Sequence, residues 1–547
     1  MSAYNPPIQD MHFLLTQALD FESEIVDSET IEAVLDEAAK LARDVLAPIN
    51  VQGDQKGASL SDGAVTTAPG FKEAYAQYRD GGWNAVPFSD EYGGQGLPWA
   101  LAFPIQEMWQ GANMSFGLCP LLNQGAVEAI SVHGSQEQKD YYLAKLISGE
   151  WTGTMNLTEP QAGSDLGLLR SKAEPNGDGS YKVSGQKIFI TYGEHDMADN
   201  IIHLVLARLP DAPDDVKGIS LFLVPKFLED GTRNSLQCIG LEHKLGIHGS
   251  PTCTMEFSGA TGYLLGGEHE GLKCMFTMMN NARLSVGLQG VAIAERAYQH
   301  AAAYAADRTQ GKDFTSGERV SIDQHADVKR MLLSMKSQIE AGRAMTYDAA
   351  VALDKAHGGD AQARAKVDLL TPIVKAWCTD MSVEVTSLGV QVHGGMGFIE
   401  ETGAAQFYRD ARILPIYEGT NGIQAADLAF RKVLRDGGQV ANAYIDSLAG
   451  NVDSAYLDEL KSATAFLIKA GGENNLDLVA GASVPYLKAF GTIAGAAMLA
   501  RCAEKAKGHE DSNFAAQKAK IAAFYRSNIL PLAGGHLEAA IKGSAAI

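Results

Sequence analysis

The sequence predicts a mainly helical protein with one small β-domain in its middle, and three observations carry that expectation. Helical periodicity runs through most of the first 150 or so residues and returns from about 276 to 435. Between these stretches lie short runs rich in β-branched residues, punctuated by Gly, Asn and Asp. After Arg435-Asp436-Gly437-Gly438, a helix stop and linker, the chain turns alanine-rich and helical again. The domain organisation expected of the chain is an N-terminal extension at 1–40 and a helical domain at 41–154. The β-domain follows at 155–275, a second helical domain at 276–436 and a further helical region at 437–547.

Each element has its own signal. From Ser28 to Asp44, Ile31, Val34, Leu35, Ala38 and Leu41 share one helical face. The glycines of Glu91-Tyr92-Gly93-Gly94-Gln95-Gly96-Leu97-Pro98 mark a loop, with a plain turn as its simplest reading. Tyr181–Thr191, Ile201–Leu209, Gly218–Phe227 and Cys253–Phe257 read as strands, and clusters such as Pro175-Asn176-Gly177-Asp178-Gly179 between them predict antiparallel turns. Leu332, Met335, Ile339, Met345, Ala349 and Leu353 form one long apolar stripe, which is core more often than cofactor box. In the last region Gly471-Gly472 and the stretch Pro531–Gly535 are expected to break the helices.

Composition excludes several classes. A formal charge of −21 disfavours a nucleic-acid partner, which needs Lys and Arg to displace counterions. Six scattered cysteines form no C-x-x-C pair, so neither a zinc ribbon nor a dithiol centre is indicated, and no metal is expected. The first residues carry neither a basic nor an apolar leader region, and no apolar run reaches about 18 residues, so a soluble cytoplasmic protein without membrane insertion is the default. The phosphate-loop, H-E-x-x-H and G-x-S-x-G signatures are absent. Gly394-Gly395-Met396-Gly397 lacks the spacing of a Rossmann fingerprint and follows a helical pattern.

Four segments remain that can carry chemistry. Leu157-Thr158-Glu159-Pro160-Gln161-Ala162-Gly163-Ser164-Asp165 offers hydroxyls and small-residue backbone to a heterocycle or a pyrophosphate, and reads equally well as an ordinary connection. Lys187-Ile188-Phe189-Ile190-Thr191 places an aromatic and a hydroxyl on one strand face, although a core Phe is the commoner explanation. In Gln391-Val392-His393-Gly394-Gly395 the glycines allow close backbone approach, and His393 has no second ligand at metal spacing. Glu418, in Pro415-Ile416-Tyr417-Glu418-Gly419-Thr420-Asn421, sits among apolar residues that raise a carboxyl's proton affinity, as a general base requires. Taken alone, an acidic residue serving a helix dipole is the commoner reading there.

Together and in this order, the four segments resemble the acyl-CoA dehydrogenase family over roughly residues 40 to 435. Lys244–Thr252 and Ala282–Gly287 are further stretches of likeness. The resemblance implies a helical domain, a middle β-barrel and a helical bundle, with FAD in a cleft shared with a second subunit. It assigns Glu418 as the base that takes the α-proton of an acyl-CoA, and the resemblance rather than the local context favours that role. Met155, Leu157, Thr158, Gly163 and Ser164 would line the flavin, and Phe189, Ile190 and Thr191 would pack on its ring. Arg308, Gln324, His325 and Gln391–Gly395 would reach the partner subunit's FAD, while Thr420 and Asn421 would touch the dinucleotide. Ser164, Asn280, Arg283 and Gly419 would contact the substrate. Electrons would pass to an electron-transfer flavoprotein, and a homodimer is implied.

The sequence departs from the family's pattern at several places. Phe189 stands where Trp is frequent, Asn280 replaces an acidic residue of some members, and Arg308-Thr309-Gln310-Gly311 is one residue shorter than the commonest form. Tyr4-Asn5-Pro6-Pro7, Gly193-Glu194-His195-Asp196, Val216–Phe227 and the extra C-terminal helices resemble the subgroup that contains 3-methylmercaptopropionyl-CoA dehydrogenases, which points to a short acyl chain. Two rivals stay open. One is an acyl-CoA oxidase that uses oxygen. The other is a DNA-associated flavoprotein of the same fold, which the balance of ten basic to ten acidic residues beyond position 440 weakens.

Overall fold

The computed structural model describes residues 2–546, and the chain divides into two compact units. The first contains residues 44–97 and 112–282. The second contains residues up to Arg43, Pro98–Gly111 and the chain from Arg283 onward. Among the described residues, no helix is long and apolar enough to cross a membrane.

In the first unit the four turn-punctuated runs are strands and three further strands join them: β1 (Trp151–Asn156), β2 (Lys172–Pro175), β3 (Tyr181–Thr191), β4 (Asn200–Arg208), β5 (Ile219–Pro225), β6 (Leu236–Leu241) and β7 (Thr252–Leu265). The pairings β2–β3, β3–β7, β7–β5, β5–β4 and β4–β2 run round and return to their start, closing a barrel. Its interior is filled by alternate side chains such as Val183, Val205, Phe222, Val224, Cys253, Met255 and Phe257. Antiparallel pairing was the expectation, and two pairs depart from it, because β2 meets β4 in parallel, Lys172 against Arg208, and so does β1. Strand β1 runs parallel to β4, from Trp151 against Asn200 to Asn156 against Val205, because the β2–β3 hairpin intervenes and returns the chain to the same end. The helix Met114–His133 covers β1 so closely that a Cβ on Gly153 would lie 2.2 Å from that of Ala126.

Two hairpins lie where only helix was expected. One joins Ser59–Ser61 to Ala64–Thr66 through Asp62-Gly63, both with positive φ. The other, in the second unit, pairs Thr309–Lys312 with Arg319–Ser321.

The second unit is built of helices: α1 (Ile8–Phe13), α2 (Trp99–Ala112), α3 (Gly271–Asp307, entering from the first unit), α4 (Ala326–His357), α5 (Ala361–Val392), α6 (Asn421–Ala426), α7 (Leu476–Lys505) and α8 (Ser512–Asn528). The Met335–Leu353 stripe of α4 is buried as its periodicity predicts, with Leu332 only half-buried. Gly471-Gly472 end a helix, as expected. The break expected at Pro531–Gly535 falls at the proline, between the helices Ser512–Asn528 and Leu532–Glu538, and the second helix runs on through both glycines because a proline suits a helix entry.

A buried charge cluster ties the two ends of the chain to the bundle. Arg343 of α4 is fully buried and donates to Asp10 of α1 (2.8 Å), Glu107 of α2 (2.7 Å) and Glu295 of α3 (2.9 Å). Lys518 of α8 pairs with Asp10 and with Glu340. Burial alone would raise both Asp10 and Glu295. The cations overcome it, holding Asp10 well below its usual range and Glu295 at about 2.

The C-terminal region packs onto α5 through Gly491 of α7. A Cβ there would lie 2.4 Å from Cδ1 of the buried Trp377 indole, which in turn donates to Thr492 Oγ1 at 3.2 Å. Gly491→Ala should therefore overpack this contact and cost about 1–3 kcal/mol, readable as a lower denaturation midpoint. An unchanged midpoint would mean that the two helices slide apart freely.

Candidate active site

Glu418 is presented by a tight loop between two helices of the second unit. Ile416 N–H and Tyr417 N–H both donate to Ile413 O (2.8 and 3.1 Å), and Asn421 N–H donates to Pro415 O (3.0 Å). Thr420 Oγ1 then caps α6 by accepting from Ile423 N–H. Glu418 (φ +57°) and Gly419 (φ +82°) both lie in the left-handed region. Glutamate rarely adopts that conformation, and such strain persists only where surrounding contacts over-determine it. The φ of Gly419 favours glycine, and a Cβ there would come 2.8 Å from Gln424 Nε2, so that the glutamine side chain would have to move.

The loop is held on two sides. Tyr417 Oη donates to Gln289 of α3, whose Nε2 donates to Gln110 Oε1 of α2 at 3.1 Å. On the other side, Lys375 of α5 donates to Leu414 O, Gly419 O and Asn421 Oδ1, each at 2.9 Å. Glu418 remains partly open to solvent. Its dense surround nevertheless pushes the carboxyl up to about 7, against the pull of Arg283 and Lys375. Burial pushes Lys375 down to about 7, opposed by Glu418 and Asp380. Arg283 is buried, while Asn280 lies one turn before it on α3 and is exposed.

In the first unit the barrel brings two of the predicted segments together. Ile188 N–H donates to Thr158 O at 2.9 Å, and buried Lys187 donates to Leu157 O (3.1 Å) and Glu159 Oε1 (2.8 Å). Glu159 also accepts from Arg170 N–H, Ser171 N–H and Ser171 Oγ, so the loop 157–164 is anchored at its first three residues. Burial opposes Glu159's charge, but Lys187 outweighs it and holds the carboxyl at about 2. A bulge between Lys187 and Ile190 breaks the strand's alternation, puts Phe189 at φ +61° and leaves it 58% exposed. Met155, Leu157, Thr158 and Thr191 are half-buried around this ring's segment, and Ser164 is exposed. Ile190 differs, because its side chain belongs to the barrel core, leaving only its backbone for a ligand.

A third group forms in the second unit. Ile322 N–H donates to Arg308 O (2.8 Å) and His325 Nε2 meets Gln310 O (2.7 Å), which gathers Arg308, Gln324 and His325 at the foot of the exposed hairpin. The buried His393 ring stacks on Tyr304 at 4.5 Å and brings exposed Gln391, Gly394 and Gly395, together with buried Val392, beside that foot. Arg308 lies about 37 Å along α3 from Arg283, at 1.5 Å per helical residue, so this group and the Glu418 surround are separate places on one chain. Two expected contacts are also spent internally. The Asn421 amide donates to Ala376 O, Thr379 Oγ1 and Asp380 Oδ1, and Thr420 Oγ1 is the cap of α6.

Sequence reasoning missed the groups that hold Glu418, namely Gln289, Gln424 and Lys375. A signal existed for Lys375, a lone charge in the apolar helical run Ile373-Val374-Lys375-Ala376-Trp377. Gln289 and Gln424 sit in mixed stretches without such a mark.

The chain matches four family models in order. They are the acyl-CoA dehydrogenase N-terminal domain at 28–150, the middle domain at 154–260, the C-terminal domain at 269–432, and "Acetyl-CoA dehydrogenase C-terminal like" at 435–547. It is 48% identical to the 3-methylmercaptopropionyl-CoA dehydrogenase of Ruegeria pomeroyi, with 96% of each chain covered. It is 37% identical to a butyryl-CoA dehydrogenase of Syntrophomonas wolfei, over 97% of this chain and 94% of that one. In fold it is similar to an acyl-CoA dehydrogenase of Bacillus anthracis solved with FAD, with a TM-score of 0.76 at 22% identity, covering 96% of this chain and 89% of that one.

Proposed function

This chain belongs to the acyl-CoA dehydrogenase family, and from that premise we propose that it oxidises a short acyl-CoA with Glu418 as its base, 3-methylmercaptopropionyl-CoA being the first candidate. The single observation that carries the role of Glu418 is its conformation: a carboxylate at φ +57°, partly open, with its proton affinity raised by the surround. A helix-dipole role needs neither the strain nor the raised affinity.

The enzyme's cofactor is FAD, and the residues present fit it. Phe189 holds out a bare aromatic face on which a planar ring system can stack. A Cβ on Gly163, Gly394 or Gly395 would meet nothing within 4 Å, so backbone at these points stands open to a dinucleotide. Bound FAD supplies the acceptor for the β-hydrogen, which leaves as hydride.

The rest falls to the protein's own groups. Glu418 takes the α-proton on a carboxylate oxygen, and its backbone N–H donates to the thioester oxygen as enolate charge develops there. Arg283 and Lys375 favour the charged carboxylate before the proton moves. Ser164, Asn280 and Arg283 would take the CoA moiety. Arg308, at the far end of α3, and the Gln324, His325 and Gln391–Gly395 gathered beside it lie too far from Arg283 to join the Glu418 surround of their own chain. They would serve the FAD of a second copy, which supports a homodimer. An electron-transfer flavoprotein is the electron acceptor in this reading.

Mixing the holoenzyme anaerobically with a panel of acyl-CoA thioesters tests it. The expected result is rapid loss of oxidised flavin absorbance with 3-methylmercaptopropionyl-CoA and butyryl-CoA, and slow loss with long chains. A long-chain preference would overturn the substrate, and rapid reoxidation in air would mark an oxidase instead.

A further inference from the structure

We propose that Lys375 is the positioning residue of the general base, clamping both shoulders of the Glu418 loop to the bundle. This rests on the reading of Glu418 as the base and adds how it is aimed. Lys375 is fully buried on α5 and spends three donors on three acceptors of the same loop. Leu414 O precedes Glu418, Gly419 O follows it directly, and Asn421 Oδ1 stands at the entry of α6. An ammonium has three N–H donors, so its hydrogen-bonding capacity is filled by this loop.

A loop of this kind needs such a clamp. Glu418 is held in the left-handed region against its own preference, while Gly419 adopts that region freely and adds no stiffness of its own. The clamp is itself braced. The Asn421 amide that receives Lys375 donates onward to Ala376 O, Thr379 Oγ1 and Asp380 Oδ1, all on the turn of α5 that follows Lys375. Carbonyls left facing a buried hole would seek other partners, and the loop would move with them. Reaction geometry tolerates little of this, since a shift of about 1 Å can cost on the order of 100-fold in rate.

The test compares Lys375→Met, of similar length but without donors, with Lys375→Gln, which keeps an amide donor pair without charge. Three readouts are taken on the holoenzyme: kcat and KM with butyryl-CoA, and hydrogen–deuterium exchange of the peptide 414–421. For Lys375→Met, kcat should fall on the order of 100-fold while KM stays within about threefold, because the lysine touches loop rather than substrate. Exchange of 414–421 should quicken, and Lys375→Gln should fall between the two. If Lys375→Met does not fold, Lys375→Gln alone decides by the same readouts.

Near-normal turnover with unchanged exchange would overturn the proposal. So would quickened exchange at normal turnover, which would make the contact purely structural, or lost turnover with a rigid loop. Wild-type protein that oxidises no acyl-CoA would defeat the reading of Glu418 instead, and the exchange arm would still report whether the lysine holds the loop.

Discussion

Glu418→Gln is expected to lower kcat by roughly 10²–10⁴-fold while leaving the fold and acyl-CoA affinity nearly intact. The amide is almost isosteric, so the loop's contacts, which run through the backbone of Leu414, Pro415 and Gly419 and the side chain of Tyr417, survive the change. What disappears is a proton acceptor. In the wild type burial pushes that acceptor up to about 7, so kcat/KM should rise with pH through that region and level above it. The stability effect has the opposite sense. A carboxyl raised on folding contributes stability fully below its ordinary value of 4.5, and loses it as pH climbs through about 7. Glutamine has no proton to lose, so the variant's melting temperature relative to wild type should hold or rise as pH increases. Were Glu418 only offsetting a helix dipole, turnover would stay normal and about 0.3–1 kcal/mol of stability would vanish. Parallel rate and melting measurements across pH separate the two.

Arg343→Met should cost at least about 3–5 kcal/mol, enough to threaten folding altogether. The guanidinium is fully buried and donates to three carboxylates from three different helices. Methionine fills much of the space and supplies none of the charge, leaving Glu107 without its cation and Asp10 and Glu295 with only Lys518 and Lys336, in a medium that screens them poorly. Glu107 is the member whose proton affinity is already raised, by burial first and only partly opposed by Arg343. Adding Glu107→Gln to the Arg343→Met variant should therefore recover part of the loss. A denaturation midpoint within about 1 kcal/mol of wild type would show that the cluster is neutralised by proton uptake at little cost.

The sequence announced most of this architecture through its periodicities. The stripe along α4, the turn cluster before β3 and the linker at Gly437-Gly438 all do locally what their residues prefer. The hairpin at Asp62-Gly63 was legible too, because that dipeptide is a strong hairpin signal, but it lies in a stretch otherwise read as helix. The parallel pairing of β1 was not legible, since register between distant strands leaves no local mark. The site divides along the same line. Glu418 was found through a motif, and its strain is foreshadowed only by the adjacent glycine. The clamp on it comes from a helix distant in the chain, and only the oddity of a lysine among apolar neighbours pointed there. Asn421 shows the converse: its place in the motif invited a ligand contact, while its amide turns inward to α5.

The salt-linked cluster that joins both ends of the chain also sets a schedule for making the protein. Asp10 leaves the ribosome 333 residues before Arg343 and 508 before Lys518. At roughly 5–20 residues per second, the second interval lasts from about 25 to about 100 seconds. For the first 333 residues of it the N-terminal segment carries a carboxylate with neither counter-charge made. From then until Lys518 only Arg343 is there to meet it, so burying it early would be costly. The segment must therefore wait outside the bundle while later helices are made, and Lys518 closes it in near the end of translation. A chain stopped at the linker around Gly437 would look like a shorter relative yet keep Asp10 and Glu340 without this cation. Nascent chains of that length are expected to stay engaged with chaperones rather than be released folded.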